Sequence, residues 1–172
     1  FTSATPLGAA VAEGFTGFDS ETIKAAIIGL IPGSMGETSV IAIGLGALLL
    51  LFTGVASWKT MLSVFVGGAA TGYLMQVLGL TQIQWYEHLV LGGFAFGAVF
   101  MATDPVTSAR TECGKYIYGF MIGLVAVLVR VMNPGYPEGM MLAILLMNLF
   151  APLIDYFFVQ SNINKRLNRV KK

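Results

Sequence analysis

Cysteine occurs once, at Cys113, which excludes an internal disulfide and a cysteine-based zinc site. A lone thiol of this kind is expected to be an inert buried side chain. Histidine also occurs once: His88, with Glu87, Trp85 and Tyr86, reads as an interfacial belt, because no serine and carboxylate stand at the spacing of a catalytic triad. No glycine-rich phosphate loop is present, and no catalytic side chain is assigned. Charge is scarcest of all. Only 11% of residues are charged, against about 25% in an ordinary soluble domain. The net charge of +1, with no basic patch interleaved with aromatics, argues against nucleic acid as a partner.

What is present is hydrocarbon. Hydrophobic residues make up 56% of the 172 residues, and the mean hydropathy is +0.77. No charged residue lies between Ser39 and Ser57, between Met61 and Tyr86, or between Gly139 and Ile154. A membrane span needs roughly 20 mainly apolar residues. Residues 40–55 are apolar all round, whereas a soluble core helix alternates faces at a 3.6-residue period. The chain is therefore expected to be all-α and polytopic, with lipid as its solvent and about five spans near 40–57, 61–78, 89–108, 115–132 and 140–159. Residues 20–31 read as a helix too short to cross. Residues 1–33 then form an outer loop and short helix, 34–160 the transmembrane repeat, and 161–172 a basic tail.

Lys59, Arg110, Lys115, Lys165, Arg166, Arg169, Lys171 and Lys172 fall on one side of this topology, against Lys24 and Arg130 on the other. Eight against two places the C-terminus in the cytoplasm and the N-terminal loop, Glu37 and the 133–138 loop outside. The chain opens on Phe1 with no basic segment followed by a cleavable apolar stretch, which reads as an internal start.

Glycines cluster as Gly67-Gly68, Gly92-Gly93 and Gly119-x-x-x-Gly123, where absent side chains let helices approach closely. The third span is expected to break at Asp104-Pro105, since Asp then Pro suits a helix start. Such a break either surrounds a buried ligand with freed backbone groups or is a kink repaired by neighbouring helices. Gly33-Ser34-Met35-Gly36-Glu37-Thr38-Ser39 precedes the first span. It could hold an anion at a positive helix end, or simply turn the chain and cap the helix through Thr38 or Ser39. Asp104, Glu138 and Asp155 are costly acids for a membrane chain, about 2.5–3.5 kcal/mol each at a helix centre. They suggest a cation path; helix-end stabilisation and pairing with the basic tail are the structural readings of Glu138 and Asp155.

Four segments carry a resemblance: residues 33–39, Leu51-Phe52-Thr53-Gly54-Val55-Ala56-Ser57-Trp58, Phe100-Met101-Ala102-Thr103-Asp104-Pro105-Val106-Thr107 and Tyr136-Pro137-Glu138-Gly139-Met140-Met141. Together they resemble the NqrB/RnfD family of flavin-bearing membrane subunits. Asn148-Leu149-Phe150-Ala151-Pro152-Leu153-Ile154-Asp155 and Val159-Gln160-Ser161-Asn162-Ile163 are more similar to the sodium-translocating NADH:quinone oxidoreductase branch than to the Rnf branch.

The resemblance implies one five-helix inverted repeat, the C-terminal half of a ten-helix, urea-transporter-like subunit in a bacterial inner membrane. It implies FMN joined through a phosphoester to Thr5, which closes Ser3-Ala4-Thr5, in a periplasmic loop. It also implies a non-covalent riboflavin and ubiquinone as electron acceptor. Ser3, Glu37, Thr38, Ser39, Asp104 and Thr107 are then candidate flavin contacts, and Asp104, Glu138 and Asp155 a candidate sodium path. Other subunits of the oxidoreductase, membrane lipid and a flavin transferase are the implied partners. The chain alone is not expected to turn over. Two alternatives stay open: an Rnf-type subunit serving ferredoxin and NAD, and a flavin-free channel for small solutes.

Overall fold

The computed structural model describes Gly8 and residues 18–34, 36–133 and 138–170, all helix, turn or loop with no strand among them. Helix α1, Ser20–Ile28, starts where the Asp19 carboxylate accepts the Ser20 N–H at 2.8 Å, and it stops at Gly29, whose φ of 103° few other residues adopt. A Cβ at Gly29 would lie 2.8 Å from the Ser39 Cβ, so the glycine also lets α1 end against the start of the next helix.

Helix α2, Val40–Phe52, is capped by Ser39, whose hydroxyl accepts the Ala42 N–H at 3.3 Å. Its 13 residues rise about 20 Å, short of the roughly 30 Å hydrocarbon core. It stops at Thr53, before the expected 57, because Gly54 takes a φ of 72° and turns the chain. Leu45, Leu48, Leu49 and Phe52 face outward, which suits a helix solvated by lipid.

Among the described residues three helices are long and apolar enough to cross a bilayer: α3 (Trp58–Val77), α6 (Glu112–Met132) and α7 (Met140–Val170). Helices α3 and α6 pack through their glycines. A Cβ at Gly119 would meet the Thr60 carbonyl at 2.7 Å and the Ser63 Cβ at 2.9 Å, and a Cβ at Gly123 would collide with the backbone of Val64 and Gly68. Val64, Tyr118, Ile122 and Val127 fill this seam, and Met140, Ile144 and Met147 of α7 close it. Helix α7 runs well past 159, through the basic residues to 170. Leaving hydrocarbon does not end a helix when Lys, Arg, Asn and Gln follow without Gly or Pro.

The third span departs most from expectation. It is broken first at Leu91-Gly92-Gly93, ahead of the expected Asp104-Pro105, where the helical segment also ends. Helix α4, Glu87–Val90, gives way to extended Leu91 and to Gly92 at φ 68°. Helix α5, Phe94–Phe96, then resumes and runs on as a π-helical segment, Gly97–Met101. After it Asp104 starts no helix. Its carboxylate holds a single turn by accepting the Thr107 N–H at 3.1 Å and hydroxyl at 2.7 Å, and α6 begins only after Thr111.

Two side-chain expectations are also corrected. Cys113 is exposed, because it sits in the first turn of α6 beyond the packed seam. Glu87 and His88 are buried, at 2% and 0% exposure, because the break folds α4 inward against α3 and α6; they are no interfacial belt.

Candidate functional site

The polar groups of the membrane part gather at its two ends. At the first end the break in the third span frees backbone carbonyls, and Arg130 satisfies them. It reaches in from the last turn of α6 at 1% exposure; Nη1 donates to the His88 carbonyl at 2.7 Å and Nη2 to the Leu91 carbonyl at 3.2 Å. A cation among carbonyl dipoles near a helix C-terminus is favourably placed. The Glu37 carboxylate packs onto Gly93, where any Cβ would collide with it. Glu138 completes the group, close enough to feel both Glu37 and Arg130. Burial pushes the Glu138 carboxyl above the ordinary carboxylate range and the Glu37 charge adds to the rise, with Arg130 opposing. The His88 imidazole lies beside Gly72 of α3, and neither ring nitrogen has a hydrogen-bond partner among the described residues.

At the other end Asp155 of α7 secures the start of α6. Its Oδ2 accepts the Arg110 N–H at 2.8 Å, and its Oδ1 accepts the Thr111 N–H at 3.0 Å and hydroxyl at 2.6 Å. The same Thr111 Oγ1 accepts the Gly114 N–H at 3.2 Å, so the carboxylate extends a helix cap across two helices. Nearby, Glu112 pairs with both Lys59 and Lys115. Tyr118 donates to the Asn148 side chain, one turn before Pro152, whose missing N–H leaves the Asn148 carbonyl without its helical donor.

The candidate residues from sequence therefore separate. Ser3 and Thr5 lie outside the described residues. Glu37, Thr38 and Ser39 lie at the start of α2; Ser39 caps it and Thr38 packs near Gly33. Asp104 and Thr107 bond to each other beyond its far end, about 20 Å of helix away. Glu138 follows the last turn of α6 and Asp155 holds its first, so the 21 residues of that helix set them about 30 Å apart. Among the described residues, no three His, Cys, Asp or Glu side chains converge as a metal site. The three acids thus share no single coordination site, and ion passage between them would require intermediate stations. Three residues were given no part in the break from sequence: Gly92, read as a packing glycine, His88, read as part of an interfacial belt, and Arg130, read only as a charge near a span end. The sequence carried part of the signal, since a Gly-Gly pair inside an apolar span is a breaker and a lone arginine in another span demands partners, but the pairing of the two is not local.

The profile of the family described as NQR2, RnfD, RnfE matches residues 1–164. The B subunit of the Na(+)-translocating NADH-quinone reductase from Chromohalobacter salexigens is 53% identical over 98% of this chain and 43% of its own length. The proteins of the same name from Pseudomonas paraeruginosa and Klebsiella pneumoniae are each 49% identical, over 98% of this chain and 44% of their own length. The chain thus spans less than half the length of these relatives.

Proposed function

The chain belongs to the NQR2, RnfD, RnfE family, and from that premise we propose that it is the C-terminal membrane part of a quinone-reductase B subunit that carries electrons toward ubiquinone while sodium moves outward. The observation that carries this reading is identity of about half of all residues, over nearly the whole chain, to proteins of that name. The apolar spans and the ionisable groups buried at the break, Glu87, His88 and Arg130, support it.

In this reading Thr5 is the attachment point for FMN. The donor chemistry fits: a threonine hydroxyl forms a stable phosphoester, and the link through the phosphate leaves the ring system free. FMN and riboflavin, when bound, supply the electron-exchanging chemistry. The chain's own residues position and insulate. Arg130 and Gly92 hold the third span broken without leaving its carbonyls bare, and Asp155 fixes α6 against α7 at the opposite end. Glu37 and Glu138 on one side, with Asp104 and Asp155 on the other, form the ends of an ion route. Moving one sodium ion outward against 100 mV costs about 2.3 kcal/mol. The route must therefore be gated by redox state and cannot be a standing pore. The nucleotide site and the iron–sulfur ligands belong to other subunits, the C-terminus is cytoplasmic and the N-terminal loop is periplasmic.

The family description also covers RnfD and RnfE, which makes a subunit serving ferredoxin and NAD the second reading; it keeps the flavin on Thr5 and changes the partners. The deciding experiment is the intact mass and in-gel flavin fluorescence of the full-length protein coexpressed with its flavin transferase. The expected result is a mass increment of FMN less water on the peptide containing Thr5, abolished in Thr5→Val without loss of helicity. No increment, despite a working transferase, would favour a flavin-free transporter.

A further inference from the structure

Between the turn that joins α2 to α3 and the loop after the π-helical segment lies a cavity of about 640 Å³. Its wall carries Lys59, Arg110 and Lys115 against one carboxylate, Glu112. Both lysines pair with that single acid, and Arg110 is exposed and takes part in no ion pair among the described residues. Three cations against one anion give the described lining residues a net charge of +2, with the Asp155 carboxylate behind them, bound to the Arg110 and Thr111 N–H groups and close enough to feel the Arg110 charge. Helix α3 opens at the same place, and its N-cap Ser57 makes no side-chain cap bond, so the first-turn N–H groups add positive potential.

Trp58 and Leu51 also belong to a second space. It is a groove of about 450 Å³ along α3, whose lining is completed by Met61, Leu62, Phe65 and Val66 and is entirely apolar. Trp58, Leu62 and Val66 recur every four residues, so this face of α3 extends from the charged cavity for about 12 Å along a helix long enough to span a bilayer. A cationic chamber that opens through an amphipathic tryptophan onto an apolar groove has the polarity profile of an amphiphile at a membrane boundary.

We propose that the cavity and groove form one site for an anionic phospholipid, with the phosphate on Lys59, Arg110 and Lys115 and an acyl chain along Leu62, Phe65 and Val66. The two halves make separate demands. A zwitterionic lipid satisfies the groove but brings no net charge to the cavity; a free phosphate satisfies the cavity and leaves the groove empty. The site is independent of the redox reading, because it uses neither Thr5 nor the acids of the ion route.

Trp58 lies in both halves and reports on both. The full-length protein in its complex is titrated with brominated phosphatidylglycerol or brominated phosphatidylcholine, and the Trp58 signal is taken as the difference between the natural protein and Trp58→Phe. Phosphatidylglycerol should quench this signal at least about fivefold more effectively, the factor that one basic residue near a membrane surface contributes. Lys59→Gln with Arg110→Gln should shrink the preference. Because that pair of changes also disturbs an ion pair, Glu112→Gln provides the opposite sign: it removes the one acid among the described lining residues and should enlarge the preference.

Equal quenching by the two lipids would reduce the groove to ordinary lipid contact and overturn the proposal. Absence of quenching by either would mean that another part of the complex covers the groove, which also overturns it. Reversal of phosphatidylglycerol quenching by excess inorganic phosphate, at matched ionic strength, would reassign the cavity to a free anion.

Discussion

Arg130 faces the steepest energetic demand of any single side chain, since a guanidinium at 1% exposure is tolerable only while its donors are occupied. Its partners include the His88 and Leu91 carbonyls, groups that the break has released from helical pairing. Arg130→Met removes the charge and leaves both carbonyls without those donors. An unsatisfied buried group costs about 1–3 kcal/mol, so the full-length protein should lose roughly 2–5 kcal/mol of stability. Thermal unfolding in detergent measures this, and Arg130→Lys, with one compact head in place of a planar fork, should recover only part of the loss.

Glu138 supplies a test with a defined sign. Its carboxyl is held above the ordinary range, first by burial and then by Glu37. Between the unfolded and the raised folded value the folded state binds the proton more tightly, so stability falls as pH rises through that window. Glu138→Gln removes the ionisation, and should therefore raise the melting temperature relative to the natural protein at pH 8 more than at pH 4. A difference that is flat with pH would mean that Arg130 offsets both the burial and Glu37 at this position.

At the level of elements, the α3–α6 seam is set by glycine, and the surroundings of each glycine decide what a methyl group would do. A side chain at Gly123 meets backbone rather than flexible side-chain ends, so Gly123→Val should push the helices apart and cost about 1–3 kcal/mol or more. Gly44, inside α2, has nothing within 4 Å, and Gly44→Ala should stabilise by about 0.5–1 kcal/mol through helix propensity alone. Opposite signs from two glycine replacements in one protein would separate packing from propensity; unfolding midpoints provide the measurement.

The glycine seam was legible because close approach requires small residues at helical spacing, and Gly119-x-x-x-Gly123 displays that spacing. The position of the break was not. Asp104-Pro105 carries the stronger local start signal, yet Thr107 answers Asp104 within a single turn. Gly92 breaks the span because its carbonyl neighbours find Arg130, a residue 38 positions later in the sequence. A local propensity can be read from a window; a partner supplied by another helix cannot. Ser39 shows the converse, since a cap is local and the residues before the apolar run were enough to narrow it to Thr38 or Ser39.

Across the whole molecule, the apolar spans and the family were legible because lipid imposes composition over long windows, while the two-ended distribution of acids required the fold. Glu138 and Asp155 stand at opposite ends of α6, about 30 Å apart, and have no common hydrogen-bond partner among the described residues. Sites so separated should be additive in stability to within about 0.5 kcal/mol. The double variant Glu138→Gln with Asp155→Asn should thus unfold with the sum of the single effects, most of it from Asp155, whose loss weakens the cap on α6. Sodium-dependent turnover of the assembled complex obeys a different rule. If both acids serve one ion route, blocking either end limits the same flux, and the double variant should be scarcely slower than the worse single one. Additive stability with non-additive turnover is the expected pair of results. Additive loss in both would place the two acids on separate tasks and leave Asp155 with the role its hydrogen bonds already describe, a cap that holds α6 to α7.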